Sequence, residues 1–485
     1  MPYYSSGRKL SQSVDWKLLI CVALLVIIGW LNIYAASHAT DTGGALSFAS
    51  RSGKQFIWIL ISGGVAAMIL FLFNPRLWEV ISIPAYALVL VLLVAVIFVG
   101  QDIKGSHSWF SLGPVSFQPA ELSKITTSLV LATVMSRTGF RLSRARDFLI
   151  AAAIIGLPML IIVAEKETGS ALVYVGYVFV LYREQLSGWF LSSIAGVILL
   201  FVLTLTTSTF TSVIVAMGLI SACYAWHKDR PLRWVWRELP ILVLLAFLPA
   251  IWKSLAGEEP GGFLSAVTPV RVIVGLSLAA ILVMSVIAYR RKRLSIWVCV
   301  VSLAMSLAVI FSTRFVFDNV LQDHQQKRIE VLLGLRDDPA GVGYNVAQSK
   351  IAIGSGGFLG KGFLGGTQTT FGFVPEQSTD FIFCTVGEEW GFVGCLAVIA
   401  LYIFLIIRLI LDSERCREAF TRIYGYCVAG IIFMHMFINI GMTIGLMPVI
   451  GIPLPFVSYG GSSLLGFTTM VFIFAALDHN ERKYF

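Results

Sequence analysis

The side chains best suited to chemistry in this sequence are charged residues that interrupt long apolar stretches. Glu121 and Lys124 lie three residues apart in the segment SFQPAELSK. This spacing puts both side chains on one face of a helix that begins at Pro119, where the carboxylate and the ammonium can neutralise each other. Such a pair marks either a functional site or an ion pair that orients two helices.

Asp380 lies between a polar, Gly-rich stretch and a long apolar run, directly after the sequence PEQST. One explanation is a carboxylate that satisfies the N–H groups at a helix start. The other is a general base, or a carboxylate that holds a divalent cation such as Mg²⁺ or Mn²⁺. A helix N-terminus lowers the pKa of an Asp and weakens it as a base. The catalytic role therefore requires burial, a neighbouring carboxylate or a metal.

The Gly-rich stretch before this aspartate predicts a loop that folds closely over a ligand. Gly356, Gly357 and Gly360 cluster in the sequence IGSGGFLGKG, and glycine permits close backbone approach and positive φ. The stretch is not a P-loop. Ser355 replaces the first Gly of the pattern GxxxxGK[ST], and Gly362 replaces its final Ser or Thr.

Basic and polar residues around these glycines are candidate contacts for a phosphate-containing substrate. The cations of this stretch are Arg328, Lys350 and Lys361, and its polar contacts are Gln348, Ser349 and Glu376. Arg51, far away in the sequence, is a further candidate cation for the phosphate groups. For each cation the alternative is a solvated surface charge.

Histidine and cysteine usage indicates neither zinc chemistry nor a disulfide framework. The six His residues are scattered without an HExxH pattern. The seven Cys residues fall in apolar segments or short loops without a CxxC pair.

The elements that must position these residues are helices in a membrane. Of the 485 residues, 57% are hydrophobic and 13% are charged, whereas soluble domains carry roughly 25% charged residues. The mean hydropathy is +0.84. Apolar runs recur without a linker, so we expect residues 1–485 to form a single integral membrane domain.

A spanning helix needs about 20 mostly apolar residues, and by this rule the chain contains about 14 spans. They begin near Leu18, Phe56, Val80, Phe117, Phe148, Gly169, Trp189, Phe210, Leu239, Arg271, Leu294, Asp380, Tyr424 and Phe456. The predicted fold is an all-α polytopic membrane protein with a large outer loop at residues 314–379.

The placement of Lys and Arg predicts the orientation of these spans. With the N-terminus inside, the basic segments RTGFRLSRAR, HKDRPLRWVWR, YRRKR and RLILDSERCREAFTR all fall in inner loops, as expected for short cytoplasmic loops. Both termini are then cytoplasmic, and the loop at 314–379 is outside. Because topology accounts for the net charge of +9, we expect no nucleic-acid partner.

Four segments together resemble the SEDS family of shape, elongation, division and sporulation proteins, which includes RodA, FtsW and SpoVE. They are SFQPAELSK, GYNVAQSKIAIGSGGFLGKG, PEQSTDFIF followed by GEEWG, and PVIGIPLPFVSYGGSS. Their order and their positions relative to the spans agree with the family, and the resemblance covers the chain except for residues 189–293. The sequence MPVIGIPLPF is more similar to the elongation member RodA than to the division member FtsW.

The resemblance implies a peptidoglycan glycosyltransferase of the bacterial inner membrane that polymerises lipid II for cell-wall elongation and cell shape. It places the family's essential loop aspartate at Asp380, on the periplasmic side, and the family's charged pair at Glu121 and Lys124. Undecaprenyl pyrophosphate would be the leaving group. The implied partners are lipid II, the growing glycan strand, a class B penicillin-binding transpeptidase and membrane proteins of the elongation complex.

Two features depart from the family pattern. The family has ten spans, so residues 189–293 are predicted to be an insert of four spans, an even number that keeps the loop outside. The segment AEKETGSALV stands where the family commonly has QPDLGTALV, so Glu167 replaces the usual Asp.

Three other functions stay open at the level of sequence. A lipid II flippase or transporter would also have many spans and intramembrane charges, although the polar residues here concentrate in one outer loop and no inverted repeat is visible. A division-specific polymerase like FtsW and a scaffold that recruits the transpeptidase are the others.

Overall fold

The computed structural model of the protein describes the greater part of the chain. The described residues are 14–38, 41, 44–103, 106–112, 115–227, 231–249, 251–252, 268–319, 321, 326–327, 329–330, 333, 335 and 342–484.

The described chain is mainly helical. The helices are α1 Trp16–Ser37, α2 Arg51–Phe71, α3 Arg76–Val99, α4 Pro119–Met135, α5 Ala145–Ala164, α6 Thr168–Val173, α7 Gly176–Arg183, α8 Gly188–Thr206, α9 Thr209–His227, α10 Pro231–Ala246, α11 Pro269–Arg291, α12 Leu294–Asn319, α13 Val342–Ser355, α14 Thr367–Thr370, α15 Ile382–Arg415, α16 Ala419–Thr443 and α17 Gly461–Tyr484.

A small antiparallel sheet precedes α4. Its strands, β1 Gln101–Ile103, β2 Ser106–Leu112 and β3 Val115–Phe117, pair in sequence order. The prediction of an all-α protein was therefore too strict. The three strands follow directly on the apolar helix α3, in a stretch too short to form a span, and hydropathy does not reveal them.

Among the described helices, ten are long and apolar enough to cross a membrane. The four other predicted spans overlap helices that do not meet that criterion: α4, the pair α6 and α7, α8, and α10. The protein is a membrane protein with at least these ten candidate spans, and the count of about 14 is not confirmed.

The chain forms two compact units, and the first comprises Met1–Ser187 and Asp337–Phe485. Among its candidate spans the most enclosed are α16 and α17, in each of which 72% of the most apolar 18 residues are buried. The shorter α4 is buried along almost its whole length. Small residues allow α16 to approach its neighbours closely, because a Cβ on Gly430 would lie 2.8 Å from the carbonyl oxygen of Gly176. Such contacts are the usual means of helix packing in membranes.

An ion-pair network also joins α1, α15 and α17 in this unit. Asp15, the N-cap of α1, accepts hydrogen bonds from Arg408 of α15 and from Arg482 of α17, the latter at 2.9 Å. Burial opposes ionisation of Asp15, but these bonds outweigh it and hold the pKa of this carboxyl well below its usual range.

The second unit is Gly188–Arg336 and contains α8 to α12. Its core consists of apolar side chains from these helices, including Leu200, Val213, Ile273 and Leu307. The predicted insert at residues 189–293 lies wholly inside this unit, together with α12, and its status as an insert stays a prediction.

Helix α15 is interrupted at Gly391. The 34 residues of α15 would measure about 51 Å as one straight helix, far more than the hydrocarbon core of roughly 30 Å. Gly391 has φ 64° and ψ −161°, so two helices meet there at a kink. The residues after Asp380 therefore form a short helix of their own before the long apolar segment begins.

Candidate active site

The charged pair predicted from the sequence is present in α4 and is buried. The ammonium of Lys124 lies 2.8 Å from Oε1 of Glu121, and the two side chains are 1% and 5% exposed. Pro119 begins α4 and Glu121 lies in its first turn, where a carboxylate interacts favourably with the helix dipole.

His435 of α16 extends this pair. The Lys124 ammonium lies 3.0 Å from Nε2 of His435, and Nδ1 lies 3.1 Å from the carbonyl oxygen of Pro453. A carbonyl oxygen only accepts, so Nδ1 carries the proton and Nε2 accepts from Lys124. The ring of Phe467 lies 5.0 Å from the ammonium and adds a cation–π contact.

Asp380 is half-buried and lies at the end of the predicted outer loop, two residues before α15. Asn439 of α16 donates through Nδ2 to the Asp380 carbonyl oxygen at 2.8 Å and to the Ile452 carbonyl oxygen at 2.7 Å. The carboxylate itself lies against Gly451, since a Cβ there would be 3.2 Å from Oδ2 of Asp380. Residues 451–453 thus border both Asp380 and His435.

His435 and Asn439 connect the charged pair to the loop aspartate. They are four residues apart on α16 and hence neighbours on one helix face, about 5–6 Å apart. One reaches Lys124, and the other holds the backbone of Asp380. Lys124 and Asp380, which are 256 positions apart in the sequence, therefore contact residues one turn apart on the same face of α16.

Arg51 and Glu376 lie beside the same end of the loop. Arg51 is an exposed residue whose Nη1 donates to Oγ of Ser378 at 2.9 Å. Glu376 is exposed, has φ 56° and accepts from the Thr379 hydroxyl at 3.1 Å. Among the predicted cations, Arg51 is thus held near Asp380 by a hydrogen bond to a residue two positions before it.

Lys361 forms an ion pair with Glu388. Its ammonium lies 2.7 Å from Oε1 of Glu388, a fully buried carboxylate that also accepts from the backbone N–H groups of Gln368 and Thr369. This pairing argues against Lys361 as an available phosphate-binding cation.

The glycines of the loop pack against the short helix that follows Asp380. A Cβ on Gly356 would lie 2.0 Å from the carbonyl oxygen of Gly387, and one on Gly360 would lie 2.1 Å from that of Glu389. Gly357 has open space around it but a φ of +59°. These glycines serve close backbone packing, and their predicted role in binding a ligand stays a prediction.

The other predicted contacts are spread over α13 and beyond. Ser349 is buried and donates to the Thr443 carbonyl oxygen at 2.9 Å, Gln348 is half-buried, and Lys350 is exposed with its amine beside Gly445. Arg328 lies outside the described residues.

Two further carboxylates lie between α5 and α6, of which Glu165 is buried and Glu167 is half-buried. Oε1 of Glu167 accepts from Gln118 and, at 2.7 Å, from Ser170. Among the described residues neither carboxylate oxygen of Glu165 has a hydrogen-bond partner. Burial, and secondarily the charge of Glu167, raises the pKa of Glu165 to about 8. Burial likewise raises the pKa of Glu167.

A metal held by protein ligands alone does not fit this site. In the described part of the chain no three His, Cys, Asp or Glu side chains come together as ligands. Mg²⁺ is commonly held by one or two carboxylates together with substrate phosphates, and Asp380 fits that simpler arrangement.

His435, Asn439 and Glu165 were not predicted from the sequence as site residues. The histidine and the asparagine are single polar residues in apolar helices, without a motif spacing that would mark them. The signal that would have found them is the cost of burying a polar group in a membrane, which makes each such residue a functional hypothesis.

Comparison with known proteins gives a consistent result. The FtsW/RodA/SpoVE family model, described as cell cycle protein, matches residues 15–231 and 269–483. Peptidoglycan glycosyltransferase MrdB of Escherichia coli K12 is 30% identical, over 93% of this chain and 90% of that protein. Peptidoglycan glycosyltransferase RodA of Treponema pallidum is 28% identical, over 97% and 98%. A probable peptidoglycan glycosyltransferase FtsW of Neisseria gonorrhoeae is also 28% identical, over 99% and 87%.

Two solved structures share the fold. A chain of a peptidoglycan synthase complex that coordinates polymerization and crosslinking superposes with a TM-score of 0.58, at 22% identity, over 97% of this chain and 98% of that chain. The rod shape determining protein RodA of Thermus thermophilus gives a TM-score of 0.51 at 20% identity, over 96% and 97%.

Proposed function

Because this chain belongs to the FtsW/RodA/SpoVE family of cell cycle proteins, we propose that it is a peptidoglycan glycosyltransferase that polymerises lipid II. The observation that carries the proposal is the placement of Asp380: a half-buried carboxylate at a helix start, with its backbone bonded to Asn439. Asn439 lies one turn from the His435 that contacts Lys124.

In the proposed reaction Asp380 acts as the general base. It takes the proton from the GlcNAc 4-hydroxyl of one lipid-linked chain as that oxygen bonds to the MurNAc anomeric carbon of the other. The bond from this carbon to the pyrophosphate breaks, and undecaprenyl pyrophosphate leaves with the electron pair. Attack opposite the leaving group inverts the anomeric carbon, which converts an α-linked donor into a β-1,4 glycan.

Cations near Asp380 would stabilise the charge that develops on the pyrophosphate. Arg51 is the best placed, because it is exposed and bonds Ser378, two residues from the aspartate. Lys350, an exposed residue whose amine lies beside Gly445, is the second candidate. Lys361 is less suited because Glu388 already neutralises it.

If a divalent cation, Mg²⁺ or Mn²⁺, takes part, Asp380 is the residue that would hold it, together with the substrate phosphates. When bound it would supply positive charge at the leaving group. Chelation with EDTA should then lower the polymerisation rate, and added Mg²⁺ should restore it; a rate unchanged by EDTA would remove the cation from the proposal.

The setting of the enzyme completes the proposal. We place it in the bacterial inner membrane, with both termini cytoplasmic and the Asp380 loop periplasmic, in accord with the Lys and Arg distribution. Its partners would be a class B penicillin-binding transpeptidase and membrane proteins of the elongation complex. The assignment to elongation follows MPVIGIPLPF, and a division role like that of FtsW is the alternative.

The experiment that tests the proposal uses the purified protein with its cognate transpeptidase in vesicles that contain fluorescent lipid II. The expected product is long glycan, with release of undecaprenyl pyrophosphate. Movement of lipid II between leaflets without glycan formation would contradict the proposal and favour a flippase.

A further inference from the structure

Three successive backbone carbonyl groups end the outer loop, and each is held by a donor from another segment. The Ser378 oxygen accepts from the backbone N–H of Tyr459 at 2.9 Å. The Thr379 oxygen accepts from the hydroxyl of Ser458 at 2.5 Å. The Asp380 oxygen accepts from Asn439 at 2.8 Å. We call the three donor residues, Asn439, Ser458 and Tyr459, the carbonyl clamp.

Two hydrogen bonds to backbone carbonyl groups determine the orientation of the Asn439 amide. Its NH₂ group donates to the carbonyl oxygens of Asp380 and Ile452, and a flipped amide would place Oδ1 against both of them. Oδ1 is buried and has no hydrogen-bond partner among the described residues. Leaving a buried acceptor without a partner is energetically unfavourable. The Asn439 amide thus links the backbone of Asp380 to that of Ile452, while its own Oδ1 has no hydrogen-bond donor among the described residues.

Ser458 acts in the same way from the segment between α16 and α17. Its Oγ donates to the Thr379 oxygen and accepts from the backbone N–H of Leu454 at 2.9 Å, so the hydroxyl joins two backbones. The carboxylate of Asp380 meets Gly451 in that same segment. The segment therefore both borders the carboxylate and anchors the backbone that carries it.

We propose that Asn439 and Ser458 are positioning residues for Asp380, which fix its carboxylate relative to residues 451–454 and the substrate; the catalytic part of this inference rests on the proposed function. Neither side chain needs to touch substrate. Misplacement of a reacting group by about 1 Å can cost about 10²-fold in rate, and releasing the Asp380 backbone permits displacements of that order.

The activity test compares Asn439→Ala and Ser458→Ala with wild type in the lipid II polymerisation assay. We expect kcat to fall by about 10–100-fold, while KM changes little because the substrate contacts stay. Ser458→Thr keeps the hydroxyl donor and should recover most of the kcat lost in Ser458→Ala. A kcat within twofold of wild type for both alanine variants would overturn the proposal, and so would equal loss in Ser458→Thr and Ser458→Ala.

Two matched controls separate positioning from folding. Asn32 is equally buried, donates only to the Ile28 carbonyl oxygen of its own helix and also has Oδ1 without a partner among the described residues. Ser62 is a buried serine whose hydroxyl likewise has none. Asn32→Ala and Ser62→Ala should retain kcat. A similar fall of kcat in these controls would show that loss of any buried polar group suffices, against the proposal.

Amide hydrogen exchange tests the clamp independently of activity. Asn439→Ala should raise exchange about tenfold or more in a peptide spanning residues 374–384, whereas Asn32→Ala should not. Unchanged exchange would refute the clamp even if activity fell. If the wild-type protein makes no glycan, the proposed function is wrong. Amide hydrogen exchange then still tests whether the carbonyl clamp holds the backbone at Asp380. If Asn439→Ala does not fold, Ser458→Ala, which removes only one hydroxyl group, is used for both the kcat measurement and the hydrogen-exchange measurement.

Discussion

Lys124 is almost fully buried, and its charge is compensated by the carboxylate of Glu121, one helix turn away. Lys124→Met leaves Glu121 buried without its ion-pair partner, and breaking such a pair typically costs about 3–5 kcal/mol. We expect a clearly lowered unfolding temperature in detergent. The double variant Glu121→Gln/Lys124→Met should recover most of the loss, because no buried charge remains. Equal destabilisation of both variants would mean that the lysine matters for packing alone.

Glu165 predicts a pH dependence of stability. Its pKa is about 8 in the folded protein, against an ordinary value of 4.5. Between pH 4.5 and pH 8 the Glu165 carboxyl is ionised in the unfolded chain but still protonated in the folded protein. The free energy of unfolding therefore falls as the pH rises through this range, and above pH 8 the contribution of Glu165 no longer changes.

Glu165→Gln removes this penalty. Its unfolding temperature should exceed that of wild type by several degrees at pH 8.5 and differ little at pH 4.5. Glu79, an exposed carboxylate, gives the control: Glu79→Gln should show no such pH-dependent gain. An equal effect of Glu165→Gln at both pH values would contradict the raised pKa.

Among single residues, the sequence predicted Glu121, Lys124 and Asp380 as site residues, because charges that interrupt apolar runs are conspicuous. It did not identify Asn439 or His435. The backbone carbonyl groups and side chains that these two residues contact are set by the packing of α16 against residues far away in the chain.

At the scale of elements, the kink in α15 depends on Gly391. Its φ of 64° is strained for any other residue, and a Cβ would lie 2.3 Å from the backbone nitrogen of Gly360. Gly391→Ala should therefore separate the Gly-rich stretch from the short helix after Asp380. We expect a lowered unfolding temperature and faster proteolysis of the loop. Gly354→Ala is the matched control, since a Cβ there meets nothing within 4 Å and should be tolerated.

Hydropathy located most of the spans because a 20-residue apolar run is a direct consequence of bilayer thickness. It placed one continuous span from Asp380 onward and did not reveal the kink, since composition does not change at Gly391. The sheet β1–β3 was missed for a related reason: its strands are short, and sequence patterning is weak over three to seven residues.

Across the whole molecule, the Lys and Arg distribution predicts which loops lie outside. Single cysteines at Phe371, which is 71% exposed, and at Arg141, in a basic loop, test this prediction. The background should carry Cys223→Ser and Cys299→Ser, because these two thiols are not buried.

In intact cells a membrane-impermeant thiol reagent should label Phe371→Cys, and it should label Arg141→Cys only after lysis. Labelling of Arg141→Cys in intact cells, with Phe371→Cys protected, would invert the proposed topology and place Asp380 on the wrong side for a periplasmic reaction.

Glycan formation from purified lipid II decides whether Asp380 is the general base of a polymerase. The proteins to compare are wild type, Asp380→Asn and the control Asp318→Asn, an exposed carboxylate of the second unit. We predict long glycan from wild type and from Asp318→Asn, and none from an Asp380→Asn protein with an unchanged unfolding temperature. Wild-type levels of glycan from Asp380→Asn would contradict the role of this carboxylate and the mechanism built on it.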